Sequence, residues 1–347
     1  MKTKDGVAKS SANAKEHSQE FRATFKQAHS LATRMALHRL TAHETGLKAV
    51  LRYALDYQAT SDYPYLMKYC FCRREEDGHA IAPVLAGVHL LQTSTMITDD
   101  IFDVSQLRYG RSVLHRRHGL SQAIIAAALF QSAGLESISQ ELETGRFANA
   151  ARVMALLNTI LAECYVGQYL DIATSGDPTV TTGAYYRVIR LCAGNFFGNL
   201  AACGALLANK NERETASLAR FGYNYGMGLF ITDDMVDITD SSRQTGKSLS
   251  PDLKGRRMRL PIIVALQASR SRDAKLLRQF LRSSGTSDAD IIAAVRIIQN
   301  SGALETCKST AQRYLRRAKK ALEAITNPLT AGRLGWLCDS LFAAQEL

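Results

Sequence analysis

From residue 25 to residue 342, apolar residues recur at helical spacing, interrupted only by short polar or Gly/Pro segments. No strand-like alternation lasts more than a few residues, and the 347 residues include only 6 prolines. The pattern predicts an all-α fold, a single large bundle of about ten to fourteen helices. Stretches such as 81–97, 122–135 and 153–172 are apolar almost all round, as helices in the middle of a bundle are. No linker separates two halves. Residues 1–28 are polar and rich in Lys, Ser and Ala, which predicts a flexible N-terminal extension with a helix starting near Glu20. The folded domain is expected over 29–347.

Composition excludes other classes. Hydrophobic residues at 46% and charged residues at 22% rule out global disorder and fibrous repeats. Seven cysteines without a CxxC pair suggest free thiols in a reducing compartment. Residues 1–20 lack an apolar signal core, and no run approaches 18 apolar residues, so a cytoplasmic protein without a transmembrane segment is expected. The net charge of +11 comes without aromatic interleaving or a recognisable module, so nucleic acid is not an expected partner. The positive charge gathers in two groups: Arg108, Arg111, Arg116 and Arg117, then Lys254, Arg256, Arg257 and Arg259. Each group follows an aspartate-rich segment.

Those segments read Asp99-Asp100-Ile101-Phe102-Asp103 and Asp233-Asp234-Met235-Val236-Asp237. Both are DDxxD, and both end an apolar helical stretch. On a helix, Asp99 and Asp103 share a face, as do Asp233 and Asp237. Carboxylates at the mouth of an apolar cavity are costly unless a cation compensates them. Oxygen-only ligands suit Mg²⁺, which commonly bridges carboxylates to substrate phosphates. Arginines beside such ions are natural partners for a diphosphate.

In this pattern the chain resembles the trans-isoprenyl diphosphate synthase family. The first region carries DDIFD, Leu107-Arg108, Gly110, His115 and Gly119. The second carries DDMVD, Gly246-Lys247, Asp252-Leu253 and Leu260-Pro261. Gly167-Gln168 and Leu170-Asp171 match a segment between them. The resemblance covers about residues 45–345. It implies an all-α bundle around a deep apolar cavity, an allylic prenyl diphosphate substrate, and Mg²⁺ at both motifs, three ions with bound diphosphate. Asp99, Asp103, Asp233 and Asp237 are the implied metal ligands. Asp100 and Asp234 complete the catalytic carboxylates, and Arg108, Lys247 and Arg257 are the implied diphosphate-binding residues. A homodimer through the helices beside the first motif is also implied.

The sequence departs from the family where the second substrate, isopentenyl diphosphate, binds. The basic Gly-Gly-Lys-Arg-x-Arg-Pro segment is replaced by Gln58-Ala59-Thr60-Ser61-Asp62-Tyr63-Pro64. Gln92 stands where the family has His, and Arg108 is followed by Tyr109 rather than a second Arg. Cys192-Ala193 replaces a Lys-Thr pair, and Leu229-Phe230 replaces Phe-Gln. The pair Arg190 and Gly194 is similar to the diphosphate-sensing Arg and helix-break Gly of class I terpene cyclases; the bland alternative is a surface Arg and a packing Gly.

With the donor half retained and the acceptor half dismantled, the expected activity is that of a terpene synthase: ionisation, then cyclisation or deprotonation of the cation in a dry pocket. Phe230 is the expected catalytic cation–π partner. Phe196 and Phe197 are expected in the core, since adjacent helical residues do not share a face. The small Ser94 and Thr95 before the first motif favour a C15 or C20 substrate, methylated forms included. The alternatives are a prenyltransferase, either chain-elongating or acting on a different acceptor, and a non-catalytic subunit of a heteromeric synthase.

Overall fold

The computed structural model describes residues 4–39, 45–56, 62–239, 250–268, 272–283 and 287–344. Its helices are α1 (Lys4–Arg39), α2 (Thr45–Asp56), α3 (Asp62–Phe71), α4 (Ala82–Phe102), α5 (Leu114–His118), α6 (Leu120–Leu142), α7 (Ala150–Ala173) and α8 (Thr182–Ile189). A π-helical turn, Arg190–Asn195, leads into α9 (Phe196–Leu207). The remainder are α10 (Glu212–Thr239), α11 (Pro251–Lys254), α12 (Leu260–Ala268), α13 (Arg272–Arg282), α14 (Asp288–Asn300), α15 (Ala303–Leu322) and α16 (Pro328–Ala344). The all-α expectation holds. The helices outnumber ten to fourteen because short pieces such as α5 and α11 interrupt the two loops that follow the aspartate motifs. The two-residue strands β1 (Leu107–Arg108) and β2 (Arg111–Ser112) form a hairpin after α4.

The central helices are held at close range by missing side chains. A Cβ on Gly87 of α4 would lie 2.8 Å from the Gly134 carbonyl of α6, and one on Gly134 would lie 2.8 Å from the Gly87 carbonyl. The two backbones therefore cross in direct contact. Gly222 does the same for α10, where a Cβ would collide with the Phe197 carbonyl of α9. These crossings fix α4 and α10, the two motif-bearing helices, relative to their neighbours.

The polar N-terminal stretch is helical from Lys4 onward. α1 runs unbroken through residue 28, and Thr24, Ala28, Ala32 and Ala36 are buried at four-residue spacing against the bundle. Lys68 donates to Glu20 at 3.4 Å, and Arg333 of α16 lies 2.7 Å from the same carboxylate. From Glu20 onward, tertiary contacts add to the local helix propensity.

Among the described residues, two helical stretches, Asp77–Phe102 and Ala150–Ala173, reach the length and mean hydropathy of a membrane span, as core helices of a bundle also do. Most of the first (72% of its apolar window) is buried inside the bundle, which accounts for its hydropathy. The second buries only 28% of its window. Its outward face carries Val166, Tyr169 and Ile172, with Leu120, Ile124 and Ile125 exposed on α6. All seven cysteines are unpaired and buried.

Candidate active site

α4 and α10 deliver both DDxxD motifs to one cavity of about 460 Å³. Asp99, Asp100, Asp103, Asp233, Asp234 and Asp237 all line it, as do Arg108 and Phe230. Within each motif the residues divide by depth. Asp100 and Asp234 are buried, whereas Asp99, Asp103 and Asp237 are half-buried and Asp233 is exposed.

The β1–β2 hairpin places Arg108. Tyr109 and Gly110, both in the left-handed region (φ 52° and 74°), make its tight turn. Arg108 Nε donates to Asp100 at 2.9 Å and Nη2 to Asp99 at 3.0 Å. Burial works against the Arg108 charge, but Asp100 and Asp99 outweigh it and hold the group protonated. Gln168 of α7 donates to the other oxygen of Asp99 at 3.0 Å.

On the second motif, Tyr185 of α8 donates to Asp234 Oδ2 at 2.6 Å. Arg259 approaches Asp234 Oδ1 at 3.6 Å, Asp171 at 2.9 Å and Asp252 at 3.0 Å. Asp237 accepts from Ser250 at 2.7 Å. Burial pushes the Asp234 carboxyl up to about 8 against the pull of Arg259. It pushes Asp103 up to about 7, with Asp99 adding repulsion and Arg257 opposing. Six motif aspartates thus sit beside Arg108, Arg257 and Arg259, and burial disfavours the ionised form of Asp103 and Asp234. That electrostatic strain, and a donor set of oxygens alone, fits a hard divalent cation. Among the described residues no three His, Cys, Asp or Glu side chains already converge on a point. The arginines hold the carboxylates apart.

Sequence and structure disagree at several residues. Arg190 is exposed and is absent from the cavity wall. Gly194 abuts α10, where a Cβ would lie 2.7 Å from Tyr223 Cε2. The cyclase-like pair is thus a surface Arg and a packing Gly. Arg257 is on neither the second motif nor the cavity wall; it is buried with Nη2 2.6 Å from Asp103 and 2.8 Å from the Phe102 carbonyl. Lys247, Thr60 and Ser61 lie outside the described residues.

Phe196 and Phe197 both line the cavity. Both rings pack against Tyr63, with ring centroids 4.7 and 5.1 Å away, so the two adjacent residues share one end of the wall. Thr95 lines the cavity and Ser94 does not. Asp171, Arg259, Tyr185 and Asp252 were not singled out as site residues. Asp171 and Asp252 sat inside noticed segments, whereas nothing marked Tyr185.

Toward its floor the cavity becomes apolar. A narrow continuation shares Tyr63, Gln92, Thr95 and Phe196 with it and is otherwise walled by Val88, Leu91, Leu157, Ile160, Leu161 and Leu200. Cys192 lines the main cavity, and its thiol is pushed up by contact with Cys164 and by burial, as an inert wall residue would be. The main cavity, with its charged mouth and an apolar wall that includes Val188, Ile189 and Leu229, can hold an anionic head group and a hydrocarbon chain together.

The sequence pattern of polyprenyl synthetases matches residues 62–298, more than half of the chain. A geranylgeranyl diphosphate synthase of Mycobacterium tuberculosis is 26% identical over 71% of this chain and 70% of its own length. An all-trans-nonaprenyl-diphosphate synthase (geranyl-diphosphate specific) of Rhodobacter capsulatus is 29% identical over 69% and 71%. Both names describe prenyl diphosphate synthases rather than cyclases. Among solved structures, a polyprenyl synthase from Caulobacter crescentus CB15, complexed with calcium and isoprenyl diphosphate, superimposes with a TM-score of 0.84 at 21% identity, covering 94% of this chain and 97% of that one. With its helical fold and paired aspartate motifs, this chain belongs to the polyprenyl synthetase family.

Proposed function

We propose that the chain is a divalent-metal-dependent enzyme that ionises an allylic prenyl diphosphate and transfers the prenyl group, as a prenyltransferase does. The observation that carries this reading is the convergence of both DDxxD motifs on one cavity with a charged mouth and an apolar floor. Asp99, Asp103, Asp233 and Asp237 would hold Mg²⁺, which neutralises the departing diphosphate when bound. Arg108 would add hydrogen bonds to the same leaving group. The apolar channel keeps water from the cation, and the Phe230 face stabilises it. The names of the relatives favour transfer over cyclisation.

A second reading has one specific observation in its favour. Tyr63, Gln92 and Tyr109 line the cavity where the family resemblance implies basic partners for isopentenyl diphosphate. A second diphosphate finds no guanidinium or ammonium at those three positions. Without an external acceptor, the cation reacts with its own double bonds or loses a proton.

The two readings separate in one experiment. Purified protein is given geranyl, farnesyl or geranylgeranyl diphosphate, each with and without isopentenyl diphosphate, and the products are identified by mass spectrometry. Transfer predicts a prenyl diphosphate five carbons longer, made only with the second substrate. Hydrocarbon or alcohol of unchanged carbon number, made equally without it, establishes the second reading. The exposed apolar residues of α6 and α7 support a homodimer through that face, testable by analytical ultracentrifugation of a Tyr169→Glu variant.

A further inference from the structure

Two arginines two residues apart serve opposite motifs. In the turn after α11, Arg256 adopts φ 53° and its carbonyl accepts from Gly176 at 2.8 Å, which ties the segment to the end of α7. Arg257 then reaches Asp103 of the first motif. Arg259 turns toward the second, and its own carbonyl accepts from Ile262 and Ile263 at 3.1 Å as the first turn of α12 begins. The side chain is thus anchored by its backbone.

Its guanidinium meets three carboxylates from three elements. Nη1 lies 2.9 Å from Asp171 of α7, Nη2 lies 3.0 Å from Asp252 of α11, and Nε lies 3.6 Å from Asp234 of α10. The Arg259 side chain is only 17% exposed. Burial disfavours its charge, but Asp252, Asp171 and Asp234 more than compensate. Tyr185 takes the other Asp234 oxygen at 2.6 Å. Both oxygens of Asp234 therefore face protein partners. The three carboxylates surround the guanidinium, each on a different nitrogen, and it supplies a permanent positive charge that cannot be lost by deprotonation, the compensation a divalent ion would otherwise have to provide.

We infer that Arg259 is a resident counter-ion standing where a divalent cation would otherwise sit among Asp171, Asp234 and Asp252, so that this end of the cavity takes up one metal ion fewer. The inference rests on the metal-dependent reading above. It assigns Arg259 a positioning role: it binds the three elements together before metal or substrate arrives.

The test counts ions. Mn²⁺ is titrated into the whole protein in the presence of inorganic diphosphate, and free Mn²⁺ is read by electron paramagnetic resonance for wild type, Arg259→Gln and Arg259→Lys. Wild type and Arg259→Lys are expected to bind the same number of ions, and Arg259→Gln one more. Thermal melting adds an activity-free readout. Arg259→Gln should melt far lower than wild type in chelator and recover in Mn²⁺; folding only in Mn²⁺ is the stronger form of the same result. Equal stoichiometry in wild type and Arg259→Gln would overturn the inference, as would an Arg259→Gln variant that stays unfolded with Mn²⁺ and diphosphate present. Wild type binding no Mn²⁺ at all would sink the metal reading together with it.

Discussion

Arg257 Nη2 lies 2.6 Å from Asp103 Oδ1 although 154 residues separate them in the chain. The turn that precedes α12 thus packs against the first motif. The Arg257 side chain is 4% exposed and Asp103 20%, so the pair is largely desolvated. Removing one partner of such a pair leaves a buried charge and costs about 3 kcal/mol or more. Arg257→Gln is expected to lower the free energy of unfolding by that amount in urea titrations. A wild-type midpoint would mean that solvent or Arg259 already satisfies Asp103.

The four outward aspartates should dominate activity. Asp99→Ala and Asp233→Ala are each expected to slow diphosphate release at least about a hundredfold, since each removes a ligand to the charge that stabilises the leaving group. Circular dichroism should show both variants folded. The Asp99 side chain is 36% exposed and Asp233 is exposed, so neither is a core element. Less than a threefold change in either would detach that motif from the chemistry.

Phe230 should govern what is made more than how fast diphosphate leaves. The ring lines the cavity one turn before Asp233 on α10. Phe230→Ala removes about 1–2 kcal/mol of cation–π stabilisation and admits water. Alcohols and linear olefins are expected to rise against the main product in chromatographic profiles, with diphosphate release little changed. An unaltered profile would make the ring a packing residue.

A histidine pair sets an acid limit on stability. His89 of α4 is buried with its Nε2 3.1 Å from His29 Nδ1 of α1. Burial, then repulsion from His29, pushes His89 down to about 3. Its folded pKa is therefore below the ordinary value of about 6.5. The unfolded chain takes up a proton that the folded chain refuses, so the stability is complete above about pH 6.5 and drains as pH falls toward 3. The loss approaches about 1.4 kcal/mol per pH unit within that window. In melts between pH 6.5 and 4, His89→Gln should show a shallower decline than wild type, whatever its starting stability. Parallel declines would place the acid sensitivity elsewhere.

What the sequence disclosed follows the reach of its periodicities. Asp99 with Asp103, and Asp233 with Asp237, are i, i+4 pairs on helices, and their convergence could be anticipated because both end apolar stretches. The π-helical turn Arg190–Asn195 could not, since one added residue leaves no compositional mark; Phe196 and Phe197, expected as core residues, are buried and also line the cavity. Arg257 and Arg259 sit in one basic cluster, and only the turn at Arg256 decides which motif each meets. The helix through residue 28 was hidden by polar composition, because its buried stripe of Thr24, Ala28, Ala32 and Ala36 uses small side chains.

The central claim, that an allylic prenyl diphosphate ionises between the two aspartate motifs with the help of a divalent cation, is tested most directly by measuring inorganic diphosphate. Wild-type protein with Mg²⁺ should release one equivalent for each farnesyl or geranylgeranyl diphosphate consumed, whatever becomes of the hydrocarbon. Chelator should stop the release and added Mg²⁺ should restore it. Release that persists undiminished in excess chelator, or none from any of the three allylic diphosphates with or without isopentenyl diphosphate by folded protein, would contradict the account.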